Sequence, residues 1–221
     1  MVLRDCVCKL VNLLVTWSVV CNNGRKRDEL LRTILCIGEP KMVEKEKLET
    51  LFMEHGFGDF KWINTQDIIV AQWTRFRCQF GCHNYGKGGT CPPNVPSVDE
   101  CRKMIQEYSQ AAVFHFEKKL QKREDLNPWN SNALSALVAL EREVFLAGYY
   151  KAFLISFNGA CRVCETCAGN RLECKKPHMA RPGADAMGID VYATIRRLGY
   201  RIQVLKGYDE PMNRYAFLLV E

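Results

Sequence analysis

Four cysteines occupy one short stretch of this chain: Cys161, Cys164, Cys167 and Cys174, with Pro177 three residues later. Three thiolates at every third position can wrap a curved backbone around a multi-iron cluster, with main-chain N–H groups directed at its sulfides. Structural zinc is typically held by two CxxC pairs on separate segments, so the third closely spaced cysteine favours iron–sulfur over a single zinc ion. We expect a 4Fe-4S centre here, with zinc as the alternative.

A second cysteine set lies earlier in the chain and consists of Cys78, Cys82 and Cys91. The loop between them is rich in glycine, which lets the backbone approach a ligand closely, and Pro92 and Pro93 stiffen its exit. Three cysteines within one loop, matched by a second cluster elsewhere, favour a metal site over buried unligated thiols. We therefore expect one or two clusters in all.

Cys101 is a candidate fourth ligand that would complete a site with Cys78, Cys82 and Cys91. It also falls on the apolar stripe of a predicted helix with Val98, where a free cysteine packs as a small hydrophobic side chain. The sequence leaves both interpretations open. Without Cys101, seven thiolates remain for two clusters, and an iron with an open position would suit catalysis.

Two further residues of the first loop are candidate cofactor-binding residues. Lys87 supplies a positive charge close to the expected metal, and Tyr85 is placed to screen the metal from water together with Phe76 and Phe80. Aromatic core packing is the alternative role for the three rings. No catalytic Cys-His pair and no paired-carboxylate site stands out at a recognisable spacing.

The composition limits the class of protein. With 221 residues, 48% of them hydrophobic, the chain can bury one good core, so its 12 cysteines need not form the disulfide framework of a short secreted protein. A reducing cytoplasm is the expected location. Clusters ligated by thiolates carry negative charge, so the formal net charge of +6 need not indicate nucleic acid. We assign no specific RNA or DNA partner.

The N-terminal region differs from the rest. Residues 10–21 are apolar but too few to span a bilayer, so we expect no transmembrane segment. Asp5 is unlike a positively charged leader, and the basic residues follow the apolar run instead of preceding it. We expect residues 1–41 to be an extension outside the fold and residues 42–221 to form a single cysteine-rich metal-binding α/β domain.

Hydrophobic periodicity predicts alternating helices and strands after the extension. The helix from Ser97 has a capping box with Glu100, and Ser131 is the predicted N-cap of a long helix. Helices are predicted at about 42–55, 97–109, 131–147 and 191–198, and strands at 60–63, 68–76, 111–116, 152–157, 201–206 and 215–220.

This alternation predicts an open, largely parallel α/β sheet with flanking helices and a C-terminal antiparallel hairpin. Both cysteine loops follow a predicted strand. Ligands gather beyond the C-terminal ends of strands in open α/β sheets, so we expect the two loops at one sheet edge.

Two stretches resemble a known family. They are CQFGCHNYGKGGTCPPNVPSVDEC and the later CRVCETCAGNRLECKKPHMARPGADAMGIDV. The chain from about Met42 to its end resembles an uncharacterised family of predicted metal-binding proteins, domain of unknown function 2284, found mainly in anaerobic bacteria and archaea. The resemblance implies metal binding, with an iron–sulfur cluster, through Cys78, Cys82, Cys91, Cys161, Cys164, Cys167 and Cys174. It implies no reaction.

Together these observations predict a cytoplasmic iron–sulfur protein of anaerobic metabolism that passes electrons to a redox partner protein. Two alternatives stay open. One is a zinc-stabilised binding module with no redox role, and the other is an enzyme that uses an iron–sulfur cluster with an open iron site.

Overall fold

The strands of the described residues pair into one antiparallel sheet. The computed structural model describes residues 43–157, 159–207 and 210–221. The four strands in these ranges are β1 (Phe60–Asn64), β2 (Gln110–Lys118), β3 (Phe153–Ile155) and β4 (Met212–Leu219). Their order in the sheet is β1-β2-β4-β3, and every neighbouring pair is antiparallel.

The largely parallel sheet that the sequence predicted is therefore wrong. Strands β2 and β3 do run in the same direction, as the intervening helix suggested, since both pair antiparallel with β4. However, β4 lies between them and supplies the hydrogen bonds that they would otherwise have exchanged. The C-terminal hairpin is also wrong, because residues 201–205 form no strand.

Helices cover both faces of this sheet. Within the described residues they are α1 (Lys45–Glu54), α2 (Trp73–Gly81), α3 (Val98–Gln106), α4 (Leu126–Leu146) and α5 (Val191–Arg197), with short 3-10 turns at Thr65–Asp67 and Arg123–Asp125. The capping box of α3 is confirmed: the Ser97 hydroxyl accepts from the Glu100 N–H, and the Glu100 carboxylate accepts from the Ser97 N–H. None of these described helices is both long and apolar enough to cross a bilayer.

Two further predicted elements differ clearly in type or boundary from those observed. Residues 68–76 were expected as a strand, but α2 begins at Trp73, and its rings of Phe76 and Phe80 stack on one another at the four-residue spacing that stabilises a helix. Helix α4 begins at Leu126 instead of after Ser131. Pro128 is tolerated there because the first turn of a helix needs no partner for its N–H.

Alternate residues of the strands divide the core into two halves. On one face, Phe114 and Leu218 pack against Leu48 and Phe52 of α1 and Leu137 of α4. Other members of this half are fully buried and include Ala112, Leu134, Leu140, Val144, Leu154 and Ala216.

The opposite face carries the second half of the core. Here Val113 and Phe217 pack with Ile105 of α3, Ile195 of α5 and Ile189, all at most 1% exposed. The sheet is thus buried on both sides, which explains why its central strands are apolar at nearly every position and resemble parallel strands in sequence.

A small polar cluster closes the sheet beside β1. The carboxylate of Asp59 lies 2.6 Å from Nδ1 of His115 and accepts a 2.8 Å hydrogen bond from the Tyr200 hydroxyl. Burial alone would raise the pKa of Asp59, but the hydrogen bonds from His115 and Tyr200 outweigh it and leave that pKa lowered.

Residues Lys41–Glu221 form one compact unit, and all described residues belong to it. The extension expected at residues 1–41, with Cys6, Cys8, Cys21 and Cys36, lies outside the described residues.

Candidate metal centre

The first cysteine loop begins on a helix and not directly after a strand. Cys78 lies in the last turns of α2, and Cys82 is the C-cap of that helix. The loop then closes on itself, because the Gly86 N–H donates to the carbonyl of Pro92 at 2.9 Å, with Gly86 at a φ of +73° that favours glycine. This closure brings Cys91, which is only 4% exposed, back beside the start of the loop.

The second cysteine loop follows β3 and returns to it. The Ser156 N–H donates to the carbonyl of Pro182 at 2.8 Å, and the Ala184 N–H donates back to the Ser156 carbonyl at 3.0 Å. The two ends of the loop are therefore tied together beside the edge strand. Cys161, Cys164 and Cys174 are partly buried within this loop, while Cys167 is exposed.

A buried ion pair anchors the exit of the second loop. Glu141 of α4 is 7% exposed, and its carboxylate accepts from Arg181 at 2.6 and 2.7 Å and from the Leu154 N–H at 2.8 Å. Arg181 also donates to the carbonyls of His178 and Ala180, at 3.1 Å each. One carboxylate thus joins helix α4, strand β3 and the loop.

The segment that directly follows Arg181, residues 182–190, is called the exit segment and also supports the first loop. Its Pro182 end bonds to Ser156 beside β3, and its Gly188 carbonyl accepts from the Ala71 N–H at 2.8 Å, at the start of α2. The two cysteine loops are distant in sequence but are therefore built on a common segment.

The two loops touch one another directly. The Asn94 side chain donates to the carbonyls of Gly88 at 3.2 Å and Gly169 at 2.9 Å, so it bridges them. The Cys91 sulfur lies 3.7 Å from the carbonyl of Gly159. A Cβ at Gly89 would lie 2.7 Å from the carbonyl oxygen of Asn170, so the contact is possible only with glycine at this position.

Backbone N–H groups are directed at two of the thiols. Gly169 and Gly89, one from each loop, both donate to Cys167, and these hydrogen bonds lower the pKa of its thiol. The Val163 N–H donates to Cys161, although burial outweighs this bond and raises the pKa of the Cys161 thiol. Such N–H···S bonds stabilise sulfur that carries negative charge.

The thiols are close enough to repel one another once ionised. The pKa of the Cys91 thiol is raised to about 11, first because protein surrounds it and then because Cys82, Cys78, Cys161 and Cys167 oppose its charge. An ionised Cys91 would therefore be repelled by ionised cysteines of both loops. A bound metal removes that repulsion, since it binds the thiolate and displaces the proton.

Seven of the eight predicted cysteine ligands lie on the two contacting loops, and Cys101 lies apart. The Cys101 side chain is 1% exposed on the inner face of α3, with its sulfur 3.6 Å from the Pro96 carbonyl and 3.8 Å from the Met187 sulfur. Its surroundings are those of a core residue. All eight described cysteines are free thiols.

The other two candidate residues lie on the turn after Cys82. The Tyr85 N–H donates to the Cys82 carbonyl at 3.1 Å, and the Tyr85 side chain is partly buried. The Lys87 side chain is exposed. Among the described residues, no group of three or more Cys, His, Asp or Glu side chains is arranged to hold a metal ion as the chain stands.

Sequence reasoning missed three contributors to this region. They are the bridging side chain of Asn94, the N–H of Gly89 and the hydroxyl of Thr90, which is buried beside Cys91 without a hydrogen-bond partner among the described residues. The glycine-rich composition pointed to close backbone approach, but no signal in the sequence singles out Asn94. The donor set of seven thiols, two of them supplied with N–H donors, fits an anionic metal–thiolate centre.

Residues 61–220 match a protein family described as "Predicted metal-binding protein (DUF2284)". The match covers well over half of the chain and includes both cysteine loops. Searches of curated proteins and of solved structures found no match.

Proposed function

Because the chain belongs to this family of predicted metal-binding proteins, we propose that it is an iron–sulfur protein that passes electrons to a partner protein. The proposed ligands lie on the two loops: Cys78, Cys82, Cys91, Cys161, Cys164, Cys167 and Cys174. One or two bound 4Fe-4S clusters would supply one-electron redox chemistry.

The observation that carries this proposal is the convergence of N–H donors from both loops on Cys167. Hydrogen bonds to thiolate sulfur tune the potential of an iron–sulfur cluster and stabilise its negative charge. Cys167 is also the third cysteine of the closely spaced triplet, the one that a single zinc ion held by CxxC pairs would not need. The spacing of this triplet therefore supports a cluster in preference to zinc.

Electron transfer needs an accessible side, and two of the proposed ligands are exposed, namely Cys82 and Cys167. The second loop itself carries the exposed basic side chains of Arg171, Lys175 and Lys176. Positive charge there balances an anionic cluster and suits a redox partner with an acidic surface, whose association would weaken as salt is raised.

The test is metal analysis of protein prepared without oxygen. We expect stoichiometric iron and acid-labile sulfide, a brown colour with broad visible absorption that bleaches on reduction, and little zinc. A colourless protein with stoichiometric zinc and no sulfide would instead support the zinc-stabilised module and overturn the proposal.

Single substitutions sharpen the assignment. Cys164→Ser removes a proposed ligand from the second loop, and Cys91→Ser removes one from the first, so each should lower iron and sulfide content. Loss confined to one variant would indicate a single cluster on that loop, and loss in neither variant would contradict the assignment of the ligands.

A further inference from the structure

A polar cavity of about 280 Å³ lies outside the cysteine loops, between α2, α5 and β4. Its walls include Arg77 from α2, Tyr192 from α5, Arg214 from β4 and Asp185 from the exit segment of the second loop. None of the proposed metal ligands lines it. The cavity is therefore a separate site.

Among the described residues, the charges that face this cavity do not balance. Arg77 pairs with Asp185 at 2.8 Å, which uses the carboxylate of that aspartate. Arg214 is half-buried, and within the described ranges it has no carboxylate within ion-pair distance. Its hydrogen-bond contact is with the sulfur of Met212 at 3.9 Å, and a thioether is a weak acceptor. Two guanidinium groups thus share one carboxylate.

Holding an incompletely paired guanidinium in this environment is unfavourable. Burial lowers the pKa of Arg214 because it disfavours the charged guanidinium. The negative charge of Asp185 raises that pKa but offsets the effect of burial only in part. The five donors of a guanidinium form a planar fork that matches the two oxygens of a carboxylate or of a phosphate. An oxyanion would neutralise the excess charge and accept from the free donors.

We propose that this cavity binds a small oxyanion, a carboxylate or a phosphate, held by Arg214 with the support of Arg77. The volume of about 280 Å³ lies at the lower edge of the range for small-molecule pockets, which begins at about 300 Å³, and so suits an anion of a few non-hydrogen atoms. This site goes beyond the proposed electron-transfer function and does not depend on which metal the loops hold.

The site lies beside the first cysteine loop through α2. Arg77 directly precedes Cys78, and the charge of Asp185 is felt at the Cys78 thiol. An anion between Arg77 and Arg214 would therefore sit next to the proposed metal centre without touching its ligands. Its chemical class is that of a small metabolic acid or inorganic phosphate.

Isothermal titration calorimetry on the metal-bearing protein tests the proposal, with acetate and phosphate as probes at constant ionic strength and acetamide as the uncharged control. We expect saturable binding of one or both anions and none of acetamide. Whichever anion binds more tightly identifies the class. Arg214→Gln should weaken binding at least tenfold, whereas Arg142→Gln, an exposed arginine paired with its neighbour Glu143, should leave it unchanged.

A second variant keeps the test decisive if Arg214→Gln folds poorly or loses metal. Leu205→Trp fills the cavity and keeps every charge, so it should also weaken binding at least tenfold at unchanged metal content. The proposal is wrong if neither anion binds saturably, or if a folded Arg214→Gln or Leu205→Trp variant binds the anion as tightly as the unmodified chain.

Discussion

The buried ion pair between Glu141 and Arg181 offers the most direct test of how the second cysteine loop is held. We expect Glu141→Gln to leave the backbone bond to Leu154 intact, because glutamine keeps an oxygen that can accept it. The substitution removes the charge opposite Arg181, whose side chain is only 20% exposed. The arginine would then be a poorly compensated buried charge.

The magnitude follows from this burial. Removing one partner of a buried ion pair costs about 3–5 kcal/mol, and we expect about 3 kcal/mol because one hydrogen bond survives. For a domain of this size, that corresponds to a fall in Tm of roughly 10 °C. The matched control is Glu143→Gln on the same helix, which breaks the exposed pair with Arg142 and should cost about 0.5 kcal/mol or less.

The assay is denaturant unfolding followed by circular dichroism, with and without metal, because a bound metal adds its own binding free energy to the folded state. The double variant Glu141→Gln with Arg181→Met separates the ion pair from the individual side chains. If Glu141→Gln is destabilised no more than Glu143→Gln in the metal-free protein, the ion pair does not anchor the loop and the reasoning fails.

Three further predictions concern the loops and the sheet. Gly89→Ala should lower the free energy of unfolding by about 1–3 kcal/mol and reduce the metal content, because the new Cβ would clash with a backbone oxygen. The control Gly159→Ala places its Cβ in open space and should change neither quantity. Equal effects of the two substitutions would contradict the loop contact. Cys101→Ala should retain its metal, because Cys101 packs in the core, whereas Cys91→Ser should lose metal. Iron content per chain measures both effects. Loss of iron in both variants would make Cys101 a ligand. Because the pKa of Asp59 is lowered in the folded state, its hydrogen bonds stabilise the fold above its unfolded pKa of about 3.9, and this contribution disappears as pH falls through the lower, folded pKa. Asp59→Asn should therefore flatten the acid limb of a plot of unfolding free energy against pH. An unchanged acid limb would refute the assignment.

Much of the local structure could be predicted from the sequence because it depends on nearby residues. The capping box of Ser97 and Glu100 fixed the start of α3, and the apolar spacing around Leu48 and Phe52 predicted α1. The cysteine spacing likewise identified both loops. These signals operate over a few residues, where propensity and capping decide the structure.

The strand order could not be predicted in this way. Residues 111–116 and 215–220 were both recognised as strands, but nothing in either segment says that β4 inserts between β2 and β3. A sheet buried on both faces gives apolar strands whether it is parallel or antiparallel, so composition does not separate the two. Residues 201–206 show the converse: they resemble a strand, yet Ile202 packs on the core without pairing.

The convergence of the cysteine loops depends on a contact that has no local sequence signal. Residues 182–190 bond to Ser156 on one side and to Ala71 on the other, so the end of one loop supports the start of the helix that carries Cys78. Gly188 makes this possible, with a φ of +82° and a hypothetical Cβ only 3.0 Å from Val98. Because both loops share this support, a displacement of the segment would move thiols of both sets at once. The seven cysteines should therefore respond to such changes as one unit and not as two independent sites.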